Sequence, residues 1–542
     1  MTLSEIKDNR TKAPEGLERF YMGRVYPALL CLFTLVGYVT ETELYFNVVS
    51  TLMLSLGLLV CSSIRPLVPY LLVLLFQVPP AHSPAKSIRL ENGSDYYFRP
   101  ENIIPTAIVF AVALLSLLVF FLRNNRSARV KLAHVPFFVP SVLLSVAFLT
   151  NGLLLFNYKT ENIVLAFAEI LAFVLLFYFF YYGLKIEKGK DFFRYFIYVN
   201  SLVALLLVLE TIWIYYSGDV VVVSAVTDEF QIVKTQIYYG WGVATTAGQA
   251  ITVTLPLLLY GAMRSKGWVW YLSIAFLTYC SVIFTLSRCA ILVSTIAVIV
   301  SVIIGCFHGR NKNKFRVLLP LGIAAGLIAG VLFFGSIERI FTDLFDAGFS
   351  DNGRYNLWRK GINAFLRHPI FGEGFWNVHN QHSWLHINLF PQMVHNTVFQ
   401  ILGSMGLFGM VAYTVYRIAT VRVFLRYPRL GKTMLGVAIL TILGQSLLDN
   451  FIFYVQPMFY YAIALAVAVK LTDESELHAH GSFLASVERH ERSTVELPDT
   501  VKLRGTELAV SRPDLAARSP RVHVYGTRIT RTDLDKSRKK PE

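Results

Sequence analysis

Residues 268–307 read WVWYLSIAFLTYCSVIFTLSRCAILVSTIAVIVSVIIGCF, forty residues with one formal charge, Arg288. A helix that crosses a bilayer needs about 20 consecutive apolar residues, so this stretch has room for two crossings. They are divided by Phe284-Thr285-Leu286-Ser287-Arg288-Cys289-Ala290, which leaves almost no loop. Working outward, further apolar runs fall near 25–40, 44–64, 67–80, 103–122, 133–156, 163–184, 195–216, 241–263, 317–334, 394–416, 433–448 and 452–470. With the quoted pair that makes fourteen, the third and thirteenth being short. The expected fold is all-α, a polytopic transmembrane helical bundle of about 12–14 spans.

Composition agrees. Of 542 residues, 55% are hydrophobic and 16% charged, and the mean hydropathy is +0.52. Soluble domains carry about a quarter charged residues, so a soluble globular chain is excluded. A disordered, collagen-like or disulfide-stapled chain is excluded too. The five cysteines, Cys31, Cys61, Cys280, Cys289 and Cys306, sit in or at the ends of apolar runs, and no pair has metal-ligand spacing. The first run is not a cleavable signal, because Glu41-Thr42-Glu43 and a second run follow it without a small-residue cleavage site.

The net charge of +15 is distributed by side. With the N-terminus placed in the cytoplasm, the inner loops 123–131, 185–194, 264–266, 308–316 and 417–432 hold 19 Lys/Arg. The outer connections 81–102, 157–162 and 217–240 hold 5. Basic residues resist translocation, so this asymmetry sets the orientation and leaves no charge excess to imply nucleic acid. Residues 1–470 are then the membrane domain, with one large external loop at 335–393. Residues 471–542, with 13 Lys/Arg against 12 Asp/Glu and no sustained apolar period, are expected to be a cytoplasmic and mostly disordered tail.

A transporter spreads polar residues through the middle of its spans, whereas this chain gathers them at the outer face. Residues 335–395 hold His368, His379, His382, His386 and His395, with Tyr355, Trp358, Trp376 and Trp384. The aromatics suit either interfacial anchoring or sugar stacking. One helix is legible in the loop, from Arg354 to Arg367, stopped by His368-Pro369. Trp358, Ile362, Phe365 and Leu366 share one face of it. Arg354 falls in its first turn, where free N–H groups favour an anion that a guanidinium can grip bidentately.

Arg288 lies at a depth that costs a few kcal/mol unless the charge is paired, solvated or snorkelled, and it is read as a second anion ligand. His395-Asn396 opens the next span, where the dipole and nearby arginines disfavour a charged ring. A neutral imidazole is what a general base needs. Gly403, Gly406 and Gly409 recur every third residue and are expected to serve close helix packing. His379-x-x-His382-x-x-x-His386 is a rival, zinc-like spacing, but no carboxylate accompanies it, and no metal site is expected. Glu169, Glu210 and Asp449 are the buried acids, each a candidate partner for an arginine.

The chain resembles the superfamily of O-antigen ligases and Wzy O-antigen polymerases, best over about 240–460. The resemblance rests on Gly240-Trp241-Gly242, on Thr285-Leu286-Ser287-Arg288 with Leu292, and on Gly353-Arg354 with Leu357-Trp358. It continues through Pro369-Ile370-Phe371-Gly372-Glu373-Gly374-Phe375 to His395-Asn396, nine residues, then Gly406-Leu407-Phe408-Gly409. Met410 departs from the Gly, Thr or Tyr that follows in the ligases. The resemblance implies an enzyme of the cytoplasmic (inner) membrane working on its extracytoplasmic face. It would transfer a glycan from an undecaprenyl-pyrophosphate donor to a glycan or envelope acceptor, without cofactor or metal. Within it, His395 would be the catalytic base, and Arg288 and Arg354 would bind the pyrophosphate. A polymerase joining lipid-linked repeats is the alternative. A lipid-linked-glycan flippase is a more distant one.

Overall fold

The structure is a computed structural model that describes residues 15–77, 100–124, 136–155, 160–184, 189–217, 221–223, 230–232, 237–239, 242–332, 354–375, 394–454, 456–473 and 475. The chain is a multi-pass helical membrane protein, and each of the fourteen apolar runs falls on helix. The elements are α1 (Glu15–Met22), α2 (Val25–Thr40), α3 (Glu43–Val60), α4 (Leu67–Val73), α5 (Pro100–Asn124) and α6 (Phe138–Leu149). Next come α7, in the pieces Glu161–Ile170, Leu171–Leu175 and Leu176–Gly183, and α8 (Gly189–Tyr216). After them follow α9 (Ala244–Arg264), α10 (Trp268–Phe284), α11 (Arg288–Phe307), α12 (Lys312–Leu332), α13 (Arg354–Arg367), α14 (Thr397–Leu425), α15 (Leu430–Leu448) and α16 (456–473).

Among the described residues, seven helices are long and apolar enough to cross a bilayer unaided, or eight if α1 and α2, bent by 62°, form one span. The described part of the third run is a seven-residue helix followed by a 3-10 turn, Leu74–Gln77. The thirteenth is a full 19-residue span, α15. The connection between α8 and α9 adds two small antiparallel ribbons, Val221–Val223 with Phe230–Ile232 and Tyr238–Tyr239 with Gly242–Val243.

Burial separates the central helices from the lipid-facing ones. In α9, 94% of the apolar window is buried, against 33% in α11. The reason is residue size. Helices attract little through apolar burial in lipid and pack instead where small residues let backbones approach. α9 supplies Thr246, Ala247, Gly248, Ala250, Thr252 and Thr254. A β-carbon at Gly248 would meet the hydroxyl of Thr285, so glycine lets the α10–α11 corner seat on α9.

Lysines and arginines at one end of the bundle are spent on helix-terminal carbonyls. Arg123 donates to the carbonyls of Leu59 and Cys61, Lys470 to that of Leu184, and Arg316 Nε to that of Cys306 at 2.9 Å. The C-terminal ends of helices offer unpaired carbonyls and the negative end of the dipole. The other end of the bundle holds the candidate site.

Candidate active site

Three local structures present the residues singled out in the sequence. Ser287 caps α11, its hydroxyl accepting from the Ala290 N–H at 3.5 Å, which places exposed Arg288 at the first helical position. Arg354 opens α13, whose observed bounds are those expected, and is half-buried. His395 immediately precedes the cap of α14. There the Asn396 side-chain oxygen accepts from Val398 N at 2.9 Å and Phe399 N at 3.2 Å, and its amide donates to the Leu447 carbonyl at 2.7 Å.

His395 has φ +52°, a left-handed value uncommon outside glycine. Trp358 of α13 donates to its carbonyl at 3.4 Å, and the Trp358 ring lies 5.7 Å from that of Phe399. Such a conformation persists where the surroundings fix it, and here α13 and the Asn396 cap hold the residue from both sides.

The decisive contact is between His395 Nδ1 and Asp449 Oδ1, at 2.8 Å. Asp449 follows α15, and because α14 and α15 run antiparallel, the start of one lies beside the end of the other. The carboxylate is 4% exposed and the imidazole 35%. Asp449 Oδ1 also accepts from the Asn450 N–H at 2.7 Å, and Oδ2 from Gln249 Nε2 of α9 at 3.4 Å. Below it, Gln400 accepts from Val394 N and from Asn450 Nδ2, both at 3.0 Å.

Arg354 belongs to the same neighbourhood. It opens α13, the helix whose Trp358 Nε1 donates to the His395 carbonyl at 3.4 Å. Arg288 is tied in through its neighbour, since Cys289 Sγ lies 4.0 Å from Gln249 Nε2.

Two expectations need correction. Asp449 pairs with a histidine rather than an arginine, and among the described residues Glu169 and Glu210 pair with no arginine. Of the three glycines, only Gly403 serves helix packing as expected, its backbone against that of Gly361 in α13. Gly406, at φ +63° and ψ −159°, breaks α14. At 1.5 Å per residue the break lies about 14 Å along the axis from Thr397.

The Pro369–Phe375 segment repairs that break. Leu407 N donates to Pro369 O at 2.8 Å and Phe408 N to Ile370 O at 3.1 Å. In return, Glu373 N donates to Gly403 O at 2.8 Å and Gly374 N to Ser404 O at 2.9 Å. In hydrocarbon no water can satisfy such groups, so a broken span needs protein partners. This part of the loop is accordingly packed into the bundle rather than lying above it. The same segment docks on the α6–α7 connection, with Gly152 N donating to Phe371 O at 2.9 Å and Phe375 N to Asn151 Oδ1 at 3.0 Å.

His379, His382 and His386 lie outside the described residues, as do 335–353 and the tail beyond 475. Among the described residues no group of three His, Cys, Asp or Glu side chains could hold a metal ion.

With this geometry in view, residues 273–414 match the family model described as O-antigen ligase, Wzy_C. That stretch is similar to an O-antigen ligase domain. It contains Arg288, Arg354 and His395 and the whole repair of the break. Asp449, which contacts the His395 ring, and Gln249, which contacts Asp449, fall beyond its limits. No curated protein matches the chain. The match supports a glycosyl-transferring membrane enzyme in its general class. The sequence had located the ligase-like residues, but gave no sign that Asp449 meets His395 or that Gln249 meets Asp449.

Proposed function

We propose that the protein transfers a glycan from an undecaprenyl-pyrophosphate donor to an acceptor hydroxyl, at the extracytoplasmic face of the cytoplasmic membrane. The observation that carries this reading is the 2.8 Å contact between His395 and Asp449 at the end of the bundle shared by Arg354. An ionised carboxylate only accepts, so the imidazole donates from Nδ1 and keeps its lone pair on Nε2. That nitrogen belongs to a ring open enough for a hydroxyl to reach.

In the proposed step His395 Nε2 takes the proton of the acceptor hydroxyl as its oxygen attacks the anomeric carbon. The bond from that carbon to the phosphate oxygen breaks, and its electron pair leaves on undecaprenyl pyrophosphate. One displacement inverts the anomeric centre. Arg288 and Arg354 offset the charge that grows on the leaving pyrophosphate, a contribution of about 3–4 kcal/mol for a well-placed donor. No metal takes part.

The donor's tail would find apolar surface farther along α14, at its break. A hollow of about 360 Å³, lined by Phe365, Pro369, Ile370, Leu407, Phe408 and Val411, lies where the Pro369–Phe375 segment crosses the α14 break. The outer placement is supported by the 19-to-5 distribution of basic loop residues.

Purified protein with a defined undecaprenyl-pyrophosphate glycan and acceptor tests the assignment of the arginines. Arg288→Lys and Arg354→Lys keep charge but lose the fork that grips two oxygens. Each is expected to slow transfer by roughly 10- to 1,000-fold, up to the cost of removing one preorganised donor. Wild-type rates in both variants would remove the arginines from the pyrophosphate site.

A further inference from the structure

Gln249 is fully buried in α9, the most enclosed of the seven candidate spans, and its side-chain oxygen has no hydrogen-bond partner among the described residues. A buried amide with an unmatched oxygen is a poorer core residue than an aliphatic one of similar size, so packing alone does not account for it. Its nitrogen points to a role. Nε2 donates to Asp449 Oδ2 at 3.4 Å and lies 4.0 Å from Cys289 Sγ, one residue from Arg288.

The two oxygens of Asp449 are held from different sides. Oδ1 accepts from His395 Nδ1 and Asn450 N, and Oδ2 from Gln249. A carboxylate held at one oxygen still rocks about its last bond, whereas one held at both presents a fixed acceptor. We propose that Gln249 is a positioning residue for the transfer reaction. It locks the Asp449 carboxylate, which in turn fixes the orientation and tautomer of the His395 ring. It also sets that ring in register with the start of α11, where Arg288 stands. The inference rests on the reading of His395 as the base, and extends it to a residue in a different helix.

The test uses the full-length purified protein in the transfer assay. Gln249→Leu preserves bulk and removes the donor. Its kcat is expected to fall roughly tenfold or more, the scale on which outer partners of a functional imidazole act, while the donor KM stays within about twofold. Gln249→Glu, assayed at a pH high enough to ionise the new carboxyl, replaces the donor by an acceptor and should lose at least as much. In an Asp449→Ala background the Gln249→Leu change should cost nothing further, because coupled residues are not additive.

A wild-type kcat in both variants would overturn the proposal. So would a loss confined to KM, or an equal loss with and without Asp449. If Gln249→Leu fails to fold, the isosteric Gln249→Glu carries the same comparison. A His395→Ala enzyme with wild-type activity would refute the base assignment itself. Normal Gln249 variants beside an inactive His395→Ala would refute only the positioning role.

Discussion

Helices α14 and α15 end in opposite ways. At one end His395 and Asp449 meet, with the imidazole left one-third exposed and one ring nitrogen uncommitted. Toward the other end two cations are buried inside the bundle. Lys432 is 1% exposed and donates to the Arg426 carbonyl and to Thr472 Oγ1, the latter at 2.7 Å. Arg417 sits among the rings of Tyr413, Tyr461, Tyr416 and Phe173, at 4.4 Å from the first and 4.8 Å from the second. Cations enclosed in this way, one by hydrogen bonds and one by aromatic rings, serve the structure, while reactivity needs one group with capacity in reserve. The same pair of helices is braced at one end and left chemically available at the other.

Substitutions at the two ends should therefore separate rate from stability. The largest effect belongs to His395→Ala, which should lower transfer by about 10²- to 10⁴-fold, the usual contribution of a general base. Binding of the lipid-linked donor and thermal stability should hold. An equal loss of donor affinity would mean that the residue grips substrate instead of moving a proton.

At the braced end the sign of the comparison reverses. Lys432→Met removes the donor to Thr472 and to the helix-end carbonyl, and should cost about 1–3 kcal/mol of stability, as breaking buried hydrogen bonds does. It should leave kcat at 25 °C within about twofold. Thermal unfolding and transfer rate measured on the same preparation check both halves. A large kcat loss at unchanged stability would erase the distinction between the ends.

The smallest effect is expected from metal removal. EDTA should not inhibit purified enzyme, and His379→Ala, His382→Ala and His386→Ala should each keep substantial activity. Stoichiometric zinc, lost with any one of these changes, would bring a metal into the site.

Much of this architecture is written locally. The apolar runs name the helices because hydrocarbon demands runs of that length, and Arg354 to His368-Pro369 marks both ends of α13 within 15 residues. Arg288, Arg354 and His395 were legible because each sits at a helix start on one face. The break at Gly406 was not. The Gly403, Gly406, Gly409 spacing is that of a packing face, and the groups that make a break tolerable come from Pro369 to Gly374, some thirty residues earlier. The partner of His395 was hidden for the same reason. Asp449 is 54 residues away, and only the antiparallel closure of α14 on α15 brings it there. Gln249, 200 residues from Asp449, is more remote still.

The central claim, that His395 takes the proton of the acceptor, is tested most directly by His395→Gln. Glutamine can still hydrogen-bond to a phosphate or a hydroxyl but has no basic nitrogen. Transfer from a defined undecaprenyl-pyrophosphate glycan should fall with His395→Gln nearly as far as with His395→Ala, by about 10²-fold or more. A glutamine enzyme running near the wild-type rate would contradict the account and leave His395 as a hydrogen-bond donor alone.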